Sequence, residues 1–271
     1  MPEAGPALRA ASDWLACPVC ASRLTPAPGA LVCDAGHAFD VARQGYVNLL
    51  GRAAPANADT PAMVDARARF LGAGHYAPIA AAVADEVRGR RLLEVGAGTG
   101  HYLSAALAAH PDALGLATDV SVAAAKRAAR THPRIAAVVA DTWAGLPVRD
   151  GAVDTLLCIF APRNEPEFRR VLAAGGRAVV VVPGPDHLQK LRESHGLLGI
   201  GEDKVPRLME AFAAWSHAHR ALRFTLNLAA SDVADLIGMG PNAFHQATIP
   251  AEAGTVTVDV SILVLCPPPA T

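Results

Sequence analysis

The chain has 271 residues, 52% of them hydrophobic, and 24 Lys and Arg against 25 Asp and Glu give a formal net charge of −1. That length holds one full α/β core and a small appendage, and the near-neutral balance excludes a wholesale basic surface, leaving room only for local positive patches. The longest apolar runs are strand-length, so no membrane span is expected, and Met1 to Ala16 lacks the basic start and continuous apolar stretch of an export signal, which predicts a cytoplasmic location.

The first pattern that carries chemistry is Cys17-Pro18-Val19-Cys20, followed after twelve residues by Cys33 and then, with three residues between them, by His37. Three thiols and an imidazole at that spacing suit tetrahedral zinc, and the turn cluster from Thr25 to Ala30 suits a ribbon or knuckle. So small a segment has too little apolar area to fold alone, so metal would supply its folding free energy. A disulfide pair and a redox C-x-x-C are the alternatives. A reducing compartment disfavours the first, and the lack of a strand and helix around the cysteines disfavours the second. Cys158, inside an apolar run, and Cys266, outside every motif, read as packing residues.

Gly51 to Pro61 is polar and broken by Pro55 and Pro61, and reads as a mobile connector. A helical pattern over Ala62 to Leu71 stops at Gly72-Ala73-Gly74, and His75-Tyr76-Ala77-Pro78 opens a second helix that runs to Val87. An apolar strand, Leu92 to Val95, then meets Gly96-Ala97-Gly98-Thr99-Gly100 and an Ala-rich helix. Glycines there allow positive φ and bring backbone N–H groups against a ligand, while the helix start adds a positive dipole end, so a small-molecule cofactor is expected at this turn.

The strand from Ala113 to Thr118 ends at Asp119, nineteen residues beyond Gly100, where a carboxylate can accept both hydroxyls of a ribose. Ser121 caps a helix over Val122 to Thr131, and Ile135 to Ala140 forms a strand closing on Asp141-Thr142. Further strands are expected at Val153 to Phe160, stopping at Ala161-Pro162, at Arg177 to Val182 after Gly175-Gly176, and at Ala221 to Leu228 and Thr255 to Leu265. Strand and helix alternate, which predicts a parallel sheet covered on both faces with its ligand off the carboxyl ends of the strands. Basic residues cluster at Lys126, Arg127, Arg130 and Arg134 and again at Arg163, Arg169 and Arg170.

Gly96, Gly98 and Gly100 are spaced G-x-G-x-G after Glu94, and this resembles the first motif of class I S-adenosylmethionine-dependent methyltransferases. The runs Cys33-Asp34-Ala35-Gly36-His37-Ala38-Phe39-Asp40, Gly45-Tyr46-Val47-Asn48-Leu49-Leu50, Ala66 to Tyr76, Ile159-Phe160-Ala161-Pro162 and Pro183 to Leu188 resemble more specifically the bacterial 23S ribosomal RNA guanine-N1 methyltransferases, over nearly the whole chain. The chain departs from many relatives in having Gly96-Ala97-Gly98-Thr99-Gly100 for Gly-Cys-Gly-Glu-Gly, and in Arg163-Asn164-Glu165 after the Ala-Pro pair. The resemblance implies a Rossmann-like α/β methyltransferase sheet over residues 91–271, a zinc-binding RNA-recognition unit over 1–50, and a linker with helices over 51–90. It also implies a homodimer and a hairpin-loop guanine of 23S rRNA as substrate, and one branch of the family confers resistance to macrolides such as tylosin. Carried over by residue, it implies zinc on Cys17, Cys20, Cys33 and His37, cofactor contacts from Tyr76, Gly98, Thr99 and His187, and the adenine at Asp141 and Thr142; Glu94, Gly96 and Asp119 join them from the turn and strand-tip pattern itself.

For such an acceptor the base must leave its stack and enter a pocket, for which Phe160, Arg163 and Trp143 lie near the strand tips. Asp141 and Glu165 are the carboxylates available as a base for the N1 proton, and no catalytic residue is assigned. Two other readings stay open. A small-molecule tailoring methyltransferase would share the cofactor sheet but has no use for the zinc unit. A zinc-dependent nucleic-acid-binding regulator with a vestigial methyltransferase fold would not need Gly96, Gly98, Gly100 and Asp119 intact.

Overall fold

Apolar strands without polar alternation need cover on both faces, and the helices between them supply it. The computed structural model describes residues 3–197, 199, 204–240, 243 and 251–269. In chain order, α1 (Pro6–Ala11) is followed by β1 (Leu24–Ala27), β2 (Ala30–Cys33), β3 (Ala38–Asp40) and β4 (Tyr46–Asn48). Then come α2 (Pro61–Gly72), α3 (Ala77–Asp85), β5 (Arg91–Val95), α4 (His101–Ala109), β6 (Leu114–Asp119), α5 (Val122–Thr131) and β7 (Ile135–Val139). The chain continues through β8 (Val153–Ile159), α6 (Glu165–Val171), β9 (Leu172–Pro183), α7 (Gln189–His195), α8 (Lys204–Ala211), β10 (Ser216–Leu228), α9 (Ala230–Gly238) and β11 (Gly254–Cys266).

Eight strands form one sheet in the order β10-β11-β9-β8-β5-β6-β7-β4, parallel except that β11 runs antiparallel between β9 and β10. From β5 the chain winds outward through β6 and β7, then returns to place β8 on the other side of β5. That reversal opens a crevice at the carboxyl ends of β5, β6 and β8, the place where open α/β sheets bind ligands. Side chains alternate between two apolar layers. Leu93, Leu156 and Val180 face a layer holding Leu8 of α1 and Phe168 of α6, while Leu92, Leu157 and Val179 face one holding Phe70, Ile79 and Leu103.

β1, β2 and β3 form a separate antiparallel sheet beside the large one. The stretch before residue 50 nevertheless meets the rest of the fold at several points: α1 packs on β6 and β7, Ala16 N donates to Pro147 O (3.0 Å) in the β7–β8 connection, and β4 adds to the outer edge of β7. The two antiparallel strands are longer than their apolar runs. β10 begins at Ser216, five residues before the expected Ala221, and its polar start through Arg220 pairs with Ile262 to Cys266 of β11. An edge strand with both faces in water carries no hydrophobic pattern, so that part of it is invisible to periodicity. Among the described residues no helix is long and apolar enough to cross a membrane. Cys158 is buried in the core, its thiol pushed up to about 12 by burial, as befits a packing residue.

Candidate functional site

Two turns build the first site. Cys17 to Ala21 folds back on itself through Ala21 N to Cys17 O (2.8 Å) and Cys17 N to Ser22 O (2.7 Å). In the second, Gly36 at φ +84° lets Cys33 N reach His37 O (3.0 Å) at the end of β2. The four ligand atoms converge to within 4.8 Å of one another. Cys33 Sγ lies 3.3 Å from His37 Nδ1 and 3.6 Å from Cys20 Sγ, and Cys17 Sγ lies 3.6 Å from His37 Nδ1. A zinc tetrahedron with Zn–S of about 2.3 Å and Zn–N of about 2.0–2.1 Å has edges of about 3.5–3.8 Å, so the donor set fits that metal. The cysteines are free thiols, and the sulfur separation rules out a disulfide. Ser22 groups beside Cys20 lower its thiol to about 6, favouring the thiolate that metal binding requires.

The second site is a cavity of about 800 Å³ off the carboxyl ends of β5, β6, β7 and β8, and Tyr76, Glu94, Gly96, Gly98, Thr99, Asp119, Asp141, Thr142 and His187 all line it. The glycine turn is tight for identifiable reasons. At Gly96 (φ +60°) a Cβ would stand 2.6 Å from Ala161 Cβ, and at Gly98 (φ +54°) one would stand 2.8 Å from Arg67 Nη1. Glu94 points back under the turn, its Oε2 accepting Leu103 N (3.1 Å) in the first turn of α4, and burial pushes its carboxyl up to about 8. Asp119 ties the turn to β6: Oδ2 accepts Gly98 N and Oδ1 accepts Ser121 N, both at 2.8 Å. Each of its oxygens keeps lone-pair capacity for a further donor, and burial raises this carboxyl as well. That is the donor demand a vicinal diol meets.

At the tip of β7, Asp141 accepts Trp143 N (2.9 Å) and an ion pair from Arg52 of the connector, while Thr142 O accepts Asn164 Nδ2 (2.8 Å). Glu165 accepts Trp215 Nε1 (2.6 Å) and pairs with Arg169 (3.3 Å). Both carboxylates considered as a base for the acceptor are therefore engaged in structural contacts.

An aromatic wall closes the other side. Phe160 follows β8 with φ +54°, and Leu188 follows His187 with φ +55°, left-handed conformations that cost bulky residues of order 1–3 kcal/mol. The first of these turns holds the Phe160 ring 5.8 Å from His187 and 6.3 Å from Tyr76, where it stays 39% exposed. His187 is buried; its Nδ1 accepts Asp259 N (3.3 Å), which assigns the ring proton to Nε2, 3.5 Å from the Tyr76 hydroxyl. Burial lowers His187 to about 4, so the ring is neutral at neutral pH and acts as a donor, not a base.

Several lining groups gave no signal in the sequence. The connector, expected to be loose, forms part of the wall through Pro55, Asn57 and Asp59; Ser121 Oγ donates to Asp59 O (2.7 Å), and the Asp59 carboxylate pairs with Arg67. Arg67 also donates to Met239 O (2.7 Å), so a cation stands fixed beside Gly98. His101, at the start of α4, lines the cavity with its Nε2 buried and lacking a partner among the described residues. A nucleoside cofactor carrying an amino-acid tail suits this set: a carboxylate for its diol, a glycine cradle a Cβ would fill, and an unsatisfied imidazole nitrogen in the cavity wall.

Comparison with known proteins gives two family matches. The model described as "RlmA, N-terminal", a zinc ribbon, matches residues 15–53, and a methyltransferase domain model matches residues 92–179. A 23S rRNA (guanine(748)-N(1))-methyltransferase from Streptomyces fradiae is 45% identical over 242 residues, 86% of each chain. A protein from Micromonospora griseorubida, provisionally named a 23S rRNA (guanine-N(1)-)-methyltransferase, is 43% identical over 92% of this chain and 95% of its own. A Bacillus subtilis protein with the same provisional name is 33% identical over 65% of this chain and 67% of its own.

Proposed function

The chain belongs to the family of 23S rRNA (guanine-N1)-methyltransferases, and from that premise we propose that it transfers a methyl group from S-adenosylmethionine to N1 of a hairpin-loop guanine in 23S rRNA. The observation that carries this reading is the reach of the 45% identity, which extends over 86% of the chain. A tailoring enzyme for small molecules would have no use for the tetrahedral donor set at Cys17, Cys20, Cys33 and His37. With four protein donors and no open position, that set suits a structural zinc.

S-adenosylmethionine, when bound, supplies a methyl group on a sulfonium whose departure leaves a neutral thioether. The N1–H bond of the guanine breaks as the N–C bond forms, its proton passing to solvent, so what remains for the protein is alignment of donor and acceptor. Asp119 would hold the ribose hydroxyls, Asp141 and Thr142 the adenine edge, and the backbone of Gly96 to Thr99 the amino-acid end. Tyr76 and His187 would wall the reacting end, with Glu94 bracing the turn from below. Phe160 offers a ring face to the incoming base, and Trp143, 65% exposed, stands at the same cavity. The reaction belongs in the cytoplasm, where bacterial ribosomal RNA is made. The homodimer implied by the family is tested by light scattering, which should give twice the chain mass.

The deciding experiment is incubation of naked 23S rRNA with the protein and S-adenosylmethionine, read by primer extension. One new stop at a loop guanine is expected, because N1 methylation blocks the Watson–Crick edge, and changing that guanine to adenine should remove it. Methyl transfer confined to a small molecule would replace this reading with the tailoring enzyme. If the role is resistance, expression in a sensitive host raises tolerance to tylosin.

A further inference from the structure

Three arginines of the basic clusters conspicuous in the sequence are neutralised by carboxylates in the fold, and a fourth is tied to the backbone. Arg127 pairs with Asp65, Arg169 with Glu165, and Arg170 with Glu167 and Asp150, while Arg134 spends its guanidinium on four backbone carbonyls. Three cations at the mouth of the cavity are different. Arg163 follows the Ala161-Pro162 tip of β8, with Nη1 3.4 Å from Ala161 O; Arg192 lies on α7 and Lys204 opens α8, and the last two line the cavity. Among the described residues none of the three has a carboxylate partner, although they come from three separate segments.

Arg192 is also held in place. Its Nε donates to His187 O (3.0 Å) and its Nη2 to Pro185 O (2.6 Å), so neutral carbonyls fix the guanidinium and leave its charge uncompensated. The Lys204 ammonium is held below the usual lysine range by burial and then by repulsion from Arg163 and Arg192, so it feels both guanidinium charges. Gathering like charges at a partly buried rim is unfavourable unless an anion arrives to offset it. The exposed face of Phe160 lies in the same wall. Cations beside an open aromatic ring are the combination that grips the backbone of a single strand while a base stacks.

We propose that Arg163, Arg192 and Lys204 form the phosphate-binding rim of the cavity, holding the RNA backbone on either side of the base that enters against Phe160. The proposal rests on the RNA-methyltransferase reading and adds where the strand lies. The cofactor's carboxylate is a poorer occupant, because one charge cannot balance three.

The test measures binding of a 23S rRNA hairpin fragment across a salt series for the full-length protein and for Arg163→Gln, Lys204→Gln and the double variant. Lys126→Gln on α5 serves as a control, and cofactor affinity is measured by calorimetry on each. Each cation removed from a phosphate should lower the slope of log Kd against log salt by about 0.7. The double variant should bind the fragment at least about tenfold more weakly with cofactor affinity unchanged, Lys204→Arg should restore the slope, and Lys126→Gln should change neither. Unchanged slopes in the variants overturn the proposal, as does a fall in cofactor affinity instead of RNA affinity, which would give the cluster to the cofactor. Failure of the unaltered protein to bind the fragment overturns the RNA reading itself, and this rim with it.

Discussion

The zinc unit takes all four of its functional side chains from the stretch between Cys17 and His37, on one turn before β1 and one between β2 and β3. The cavity gathers residues from Pro55 in the connector to Gly240 beyond α9, drawn from the tips of β5, β6, β7 and β8 and from the helices and loops around them. The first is a small structure that depends on its ligands; the second is a surface feature of a large core that would persist without any one of them. The zinc ligands should therefore control local folding, and the cavity residues should control affinity with little effect on folding.

The largest effect should come from breaking the metal site. Structural zinc contributes on the order of 10 kcal/mol or more in small zinc domains, so Cys20→Ser should abolish metal content and unfold residues around Cys17 to His37, seen as faster amide hydrogen exchange there. Cofactor affinity should stay within about threefold of the parent. If it collapses too, the two regions are one cooperative unit and the comparison fails. Next in size, Gly98→Asp puts a side chain into a φ +54° position and the space beside Arg67. It should weaken S-adenosylmethionine binding more than about 100-fold by calorimetry while metal content stays at one per chain.

His187 links stability to pH. Its folded-state value of about 4 lies below the ordinary 6.5, so the stability it contributes is present above pH 6.5 and is lost as pH falls through 4. The loss should be about 2–3 kcal/mol, since each tenfold change in proton affinity corresponds to about 1.4 kcal/mol. Melting curves between pH 7 and 4 should fall more steeply for the parent than for His187→Gln, and parallel curves would refute the buried neutral ring. Smallest is Arg52→Gln, which frees Asp141 from a pair whose arginine is 57% exposed. Such a pair is worth at most about 1 kcal/mol, so stability should barely move; a change in cofactor affinity beyond about fivefold would show that the connector does more than cover the cavity.

Legibility followed distance along the chain. Cys17, Cys20, Cys33 and His37 could be read as one site because short turns leave few ways to place them. Asp119 and Asp141 could be placed at the cavity because two carboxylates end successive apolar strands, although either alone would read as an ordinary turn residue. Arg67 was not, because its position beside Gly98 is set by the packing of α2 against α9. His101 gave no warning either, since one histidine at a helix start is commonplace. The charge clusters misled: Arg127 and Arg169 stood out by adjacency, yet Asp65 and Glu165 neutralise them.

Local chemistry, then, was fixed by the order of residues: which strands are apolar, where glycine permits a tight turn, and which thiols stand at metal spacing. Each depends on φ, ψ and side-chain type within a few residues. Tertiary structure alone decided which charges remain unpaired, that the connector walls the cavity, and that β10 extends back to Ser216. Those outcomes depend on what lies opposite a side chain across the fold, and partners such as Arg192 and Lys204, or Ser216 and Cys266, meet only after the sheet and its helices have packed.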